Sequence, residues 1–471
     1  MKAISFAKGI SWTLLLNVLI KPIWIFGIDR QLQNEVGLEA YGVYFSLLNL
    51  SIIFSFLADA GLSNLANVKL ANGTWTKDSG LLQLKVKLSL LYAGVVFLVA
   101  FLSGIRNLEL LALIVFIQVL SSFFVFLRSI ITGHQLFLTD AWLSVFDKMV
   151  MILICGPFLY LSFLSYPINI ILFLWIQLGS AAVAVLIAAS IIASKKLFPV
   201  EGKWENKVVV LKSMLPFALI ILLMSGLNRL DGFLLERLHP DGAYQAGIYA
   251  SAYRLLDAGN MVGYLFASFL VPFLARNRAQ KELVEKTILT ARHFLVISGS
   301  VAAVFIIIFS TEVQQLLYHF ATPFSTEVLQ WCISVLPAYL LLHLYGSMLT
   351  AALQLRVFIL ILLGCVFLNA FLNIMWIPMY GAAACTKVAV VSQYLCAFCT
   401  MVLATKKYDI GFHFKSVLLY LFVVLFFGLL FYAAKYFYMH SVLILMVGLL
   451  FMLLLLFAYI SFVKKTIILL R

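Results

Sequence analysis

The sequence predicts an all-α polytopic membrane protein: about fourteen transmembrane helices, arranged as two six-helix pseudo-repeats forming two lobes around a central cavity, plus two C-terminal helices. Three observations carry that expectation. Of 471 residues, 64% are hydrophobic and 11% charged, too apolar for a soluble fold that must cover itself with polar surface. Apolar runs of about 20 residues, the number that crosses a ~30 Å hydrocarbon core, recur along the chain. Basic residues cluster in alternate loops, and short sequence matches return 205 and 211 positions apart.

The first run, 9–29, follows a short basic flank with no small-residue cleavage site, and reads as an uncleaved span whose start lies inside. Pro22, directly after Lys21, removes a backbone donor and is expected to kink it. Spans at 40–62, 86–105, 109–131, 141–162 and 168–193 complete the N-terminal lobe, which with its cytoplasmic linker occupies 1–213. Spans at 214–236, 246–273, 292–310, 328–353, 357–377 and 382–404 form the C-terminal lobe, 214–410. Two further spans, 416–435 and 441–463, fill 411–471.

A formal net charge of +14 suggests nucleic acid until the placement of the charges is considered. Twenty-three Lys and Arg fall in one set of alternating loops, and only Arg30, Arg106, Arg237 and Lys435 in the other. That asymmetry marks the basic loops as cytoplasmic, puts both termini inside, and excludes nucleic acid as a partner.

The halves resemble each other at matching topological positions. Gly42-Val43-Tyr44-Phe45-Ser46 opens span two and Gly247-Ile248-Tyr249-Ala250-Ser251 opens span eight; Phe26 to Arg30 parallels Phe233 to Arg237. Span six closes on Ser194-Lys195-Lys196 and span twelve on Thr405-Lys406-Lys407. A duplication of six spans keeps both copies in the same orientation, related by an axis along the membrane normal.

Ten charged residues fall within spans at least three residues from either end: Lys21, Asp59, Arg128, Asp147, Lys148, Arg229, Asp231, Arg254, Asp257 and Lys387. Facing all of them to lipid would cost about 25 to 35 kcal/mol, more than the ~5 to 15 kcal/mol that stabilises a typical fold. They are expected to line an interior space. The cations Lys21, Arg128, Lys148, Arg229, Arg254 and Lys387 outnumber the acids Asp59, Asp147, Asp231 and Asp257, a lining suited to phosphate or acidic sugars. Asp59 and Arg128, near span ends, have a second option of snorkelling to the interface, and Arg254 with Asp257 that of a static pair. Helical spacing puts Tyr253, Asp257, Asn260 and Tyr264 on one face of span eight, and gathers Ser225, Asn228, Arg229 and Asp231 in span seven. Asn17 with Lys21, His343 with Ser347, and Asn369 with Asn373 add polar stripes. His343 is expected to hydrogen-bond a neighbouring helix rather than to carry protons. All six cysteines lie in apolar runs, and Cys396-x-x-Cys399 reads as packing, with no metal or cofactor implied.

Asn228 to Leu235 followed by Ala246 to Asp257, together with Gly37 to Gly61 and Leu368 to Ala383, resembles the signature of Wzx-type polysaccharide flippases, which transport O-antigen and exopolysaccharide units. These belong to the multidrug/oligosaccharidyl-lipid/polysaccharide (MOP) exporter superfamily. The resemblance implies transfer of undecaprenyl-pyrophosphate-linked oligosaccharide across a bacterial inner membrane by alternating access. It also implies no catalytic residue, coupling to H⁺ or Na⁺, and membrane lipids and polysaccharide polymerase machinery as partners. Arg229, Asp231, Arg254 and Asp257 match the family's charged positions. Alternatives are a lipid II flippase or multidrug exporter of the same superfamily, and a membrane polysaccharide polymerase or ligase. The short outer loops disfavour the last, because such enzymes carry a large reactive one.

Overall fold

Every regular element among the described residues is helical, the arrangement that satisfies all backbone donors and acceptors inside a segment when no water is at hand. The structure, a computed structural model, describes residues 12–13, 15–17, 19–71, 80–161, 168–197, 207–277, 280–411 and 414–437. The expected span at 441–463, the basic flank before span one and the 198–206 linker lie outside them.

Directly after Pro22 the first span runs as a π-helical segment, Ile23–Asp29, and then as α1 (Arg30–Val36). The proline is thus followed by a wider winding rather than by a continuous α-helix. Gly37, at φ 81°, separates α1 from α2 (Leu38–Phe54). At its far end α2 tightens into a 3₁₀ turn, Ser55–Ala58, and breaks at Asp59 before α3 (Leu62–Ala71), with Ala60 at φ 45° and Gly61 at φ 84°. The first half continues with α4 (Gly80–Leu102), α5 (Leu108–Gly133), α6 (Phe137–Tyr160) and α7 (Ile170–Ser194). Asn107 caps α5 by accepting from the Leu110 N–H, and Asn169 caps α7 by accepting from Leu172.

The second half comprises α8 (Lys207–Leu238), α9 (Gly242–Arg276), α10 (Lys281–Ile308), the short α11 (Ser310–Leu317), α12 (Pro323–Ile333), α13 (Leu336–Ala351), α14 (Leu355–Tyr408) and α15 (Phe414–Tyr436). Two expectations are refined here. The span expected at 328–353 is two helices, α12 and α13, parted at Ser334 and Val335, with Pro337 in the first turn of α13, where a proline is tolerated. The 54 residues of α14 measure about 80 Å at helical rise, far beyond one crossing. Gly381, at φ 54° and ψ −131°, divides them into the two spans expected at 357–377 and 382–404. Eleven helical segments among the described residues, α12 with α13 counted as one and α14 as one, are long and apolar enough to cross a membrane.

The described residues pack as two compact units. One holds those up to Ala250 together with Asn373–Gly381, the other Ser251–Leu372 and those from Ala382 onward. Packing thus divides the chain inside α9, whereas the sequence repeat turns over near 214. In the first unit α5 lies against α3 and α7, and α2 against α8, around Leu62, Leu88, Phe126, Ile130, Ala188 and Ile192. In the second, α10 lies against α13 and α15, with Val301, Phe309 and Phe431 at one core. Phe101, Leu186, Phe367 and Leu429 are more than half exposed, as outward faces immersed in hydrocarbon require.

Candidate functional site

In the first unit the charges form three groups, each built across helices. Span one meets α6 through Asn17, whose Nδ2 donates to Ser144 Oγ at 2.8 Å, and through Leu16 packed with Ala141 and Val145. That packing brings Lys21 within electrostatic reach of Lys148, Arg128 and Asp147. Arg128 grips Asp140 with Nε at 2.7 Å and Nη2 at 3.2 Å. Lys148 pairs with Asp147 at 3.1 Å and sits over the Trp24 ring, 4.9 Å from its centroid. Among the described residues Lys21 has neither an ion pair nor a hydrogen bond. Three cations therefore meet two carboxylates, and one positive charge is left over at a half-buried position.

The second group corrects a reading of the sequence. Among the twenty-three basic residues that the sequence assigns to cytoplasmic loops is Lys85, in the stretch Lys69 to Lys87, but it sits in α4 with its side chain fully buried. Its ammonium donates to Asp59 Oδ1 at 2.9 Å, Ala58 O at 2.9 Å and Ser122 Oγ at 2.6 Å. Asp59 also accepts from the Ser63 N–H and hydroxyl. This network fastens the break at the end of α2. Asp59 and Arg128 are therefore both held by partners inside the protein.

The third group surrounds Asp231 on α8, which is 1% exposed. Asn373 Nδ2 donates to its Oδ1 at 2.7 Å and the Tyr249 hydroxyl to its Oδ2 at 3.5 Å. Beside it, Gly232 faces Asn49 of α2 so closely that a Cβ there would lie 2.4 Å from Asn49 Nδ2. Asn49 itself is 1% exposed and neither atom of its amide has a hydrogen-bond partner. Arg229 is half-buried on the same helix.

In the second unit Arg254 and Asp257 are half-buried on α9. Further along that helix Asn260 Oδ1 lies 2.9 Å from His343 Nε2, and the Tyr264 ring packs on the imidazole. The histidine thus bonds a neighbouring helix, as expected. Asn369 donates to Ser392 at 3.1 Å. Lys387 is nearly half exposed, pairs with Glu327 at 3.1 Å and lies over Trp331. Sequence reasoning missed Lys85, Asn49, and the partners Asp140 and Glu327. A lysine five residues into the apolar run from Leu81 was the signal available for the first.

The profile of the polysaccharide biosynthesis protein family matches residues 6–278. No curated protein matches the sequence. Among solved structures, the lipid II flippase MurJ in an inward closed conformation is similar over 96% of this chain and 99% of its own, with TM-score 0.63 and 14% identity. An inward-facing multidrug resistance MATE family transporter of the MOP superfamily is similar over 84% of this chain and 94% of its own, with TM-score 0.58 and 14% identity. The Vibrio cholerae MATE transporter VcmN covers 87% of this chain and 98% of its own, at TM-score 0.58 and 15% identity. The shared property at such identities is the fold, that of MOP-type transporters.

Proposed function

Because the chain belongs to the polysaccharide biosynthesis protein family, we propose that it is a flippase carrying polyprenyl-pyrophosphate-linked oligosaccharide across a bacterial inner membrane by alternating access. The observation that supports this best is the unpaired positive charge of the Lys21, Arg128 and Lys148 group. A pyrophosphate headgroup is the kind of ligand that completes such a group, because charge-assisted hydrogen bonds to phosphate are among the strongest available away from water. The sugar follows the headgroup through the polar interior while the polyprenyl tail stays in lipid. No bond is made or broken, so no catalytic residue is assigned.

Direction requires a second ligand that binds the two states unequally. Of the candidate acids, Asp59 is neutralised by Lys85 and Asp147 by Lys148. Asp231, buried and held by Asn373 and Tyr249, is the best-placed group for H⁺ or Na⁺. A lipid II substrate is the second reading, supported by the match to MurJ over nearly the whole chain, and it shares the same headgroup chemistry.

The test replaces Lys21, Arg229 and Arg254 singly by Ala. Each variant is expected to insert normally and to lose surface glycan about tenfold or more, the worth of one charge-assisted contact, with Lys21→Arg restoring it. Normal display in all three variants would refute the cationic path. Complementation of a glycan-flippase-deficient strain against a lipid II flippase-depleted strain separates the two substrates.

A further inference from the structure

We propose that α10, α13 and α15 of the second unit form a binding site for the phosphate of a lipid headgroup, centred on Arg292, at the end of those spans that the basic loops mark as cytoplasmic. Arg292 closes the basic stretch from Arg276 and opens the span expected at 292–310. It is 8% exposed. Its Nη2 donates to Ser416 Oγ on α15 at 3.2 Å, its Nε is buried without a hydrogen-bond partner, and no carboxylate among the described residues pairs with it. On α13 the wholly buried Tyr345 holds its hydroxyl within electrostatic reach of the guanidinium, and that oxygen makes no hydrogen bond. Tyr420 of α15 stands in the same reach, its hydroxyl 2.9 Å from His293 Nδ1.

A guanidinium taken out of water is tolerated when an anion answers it. Its neighbours here are hydroxyls. Ser416 accepts one hydrogen and carries no charge, so the positive charge of Arg292 is left for a ligand. The remaining N–H groups of Arg292 and the O–H groups of Ser416 and Tyr345 are all donors, a set that suits an oxyanion able to accept several hydrogens at once. A clamp holding α15 onto α10 would need neither the charge nor the unbonded Tyr345 hydroxyl. Two observations point to a lipid as the source of that phosphate. Leu419, Phe426 and Leu430, each about half exposed, follow one another along α15 within about a quarter turn of Ser416. An acyl chain lying on them brings its headgroup to Ser416, where the span begins. The connection into α15 also carries Lys406, Lys407 and Lys415 in sequence, which draws anionic lipid to that surface.

The experiment exposes the delipidated protein in detergent to dioleoylphosphatidylglycerol or to dioleoylglycerol, which has the same chains and no phosphate, and counts bound lipid by native mass spectrometry. Phosphatidylglycerol is expected to be retained about tenfold more than the diacylglycerol. Arg292→Gln is expected to remove most of that preference, and Tyr345→Phe to lower it about threefold, the worth of one neutral hydrogen bond. Equal retention of the two lipids overturns the site, and so does a preference that Arg292→Gln leaves unchanged. If Arg292→Gln fails to fold, Tyr345→Phe and Ser416→Ala decide, and an unchanged preference in both overturns the site. Inorganic phosphate forms the second arm. If it raises the melting temperature of the lipid-free protein as far as phosphatidylglycerol does, and does not raise that of Arg292→Gln, the lipid is overturned as the source in favour of a free anion. Binding is read without transport, so this site stands or falls separately from the flippase reading.

Discussion

Replacing Lys85 by Met removes an ammonium with no solvent exposure from a carboxylate that keeps 25% of its own. Three bonds vanish, to Asp59, Ala58 O and Ser122. Deleting one partner of a fully buried ion pair costs about 3 to 5 kcal/mol. Asp59 retains some hydration and both bonds from Ser63, which places the loss at about 2 to 3 kcal/mol. Asp59→Asn leaves the buried ammonium facing a neutral amide and costs a similar ~2 to 3 kcal/mol by the same reasoning. Removing both charges abolishes the mismatch, so Lys85→Met with Asp59→Asn is expected to cost little more than either single change, a coupling of about 2 kcal/mol. At roughly 2 °C per kcal/mol for a chain of this size, each single variant melts about 4 to 6 °C lower in detergent, followed by fluorescence-detected size exclusion, and the double variant melts with them. Strict additivity of the two drops would show that the charges do not act as a pair.

Gly381→Ala puts a side chain at φ 54° and ψ −131°, a backbone region that costs an L-residue about 1 to 3 kcal/mol, and is expected to lower the melting temperature while spans eleven and twelve still insert; an unchanged melt refutes the strained turn. Lys387→Ala, at a half-exposed pair with Glu327, is expected to change stability by less than ~1 kcal/mol; a larger loss in the same melt would show that the pair is structural.

The crossings were legible because hydropathy averages over about 20 residues, the length a bilayer imposes, and even the divide between spans eleven and twelve falls at the glycine where the apolar run dips. The same averaging hid Lys85. Its partner lies 26 residues away on another helix, and a window that sees Lys69 to Lys87 as one basic stretch assigns them all to a loop. Arg128 was read as a cavity or interface charge for a related reason: Asp140 answers it from the next helix, across a turn. His343 was read correctly, since an imidazole in an apolar helix needs a bond and a neighbouring helix is the nearest supplier. In the sequence Gly42 and Gly247 stand out only as repeat markers, yet a Cβ on Gly42 would lie 2.8 Å from Gly247 N. That they touch is a fact of tertiary packing, which no local pattern encodes.

The π-helical segment Ile23–Asp29 closes its hydrogen-bonded rings one residue later than an ordinary helix does. Deleting a single codon there would let the backbone rewind as regular α-helix while the flanking faces, Lys21 included, stay nearly in register, whereas the same deletion from an ordinary α-helix turns one face by about 100° against the other. The extra residue of this stretch thus makes it the part of the first span that tolerates a one-residue deletion best.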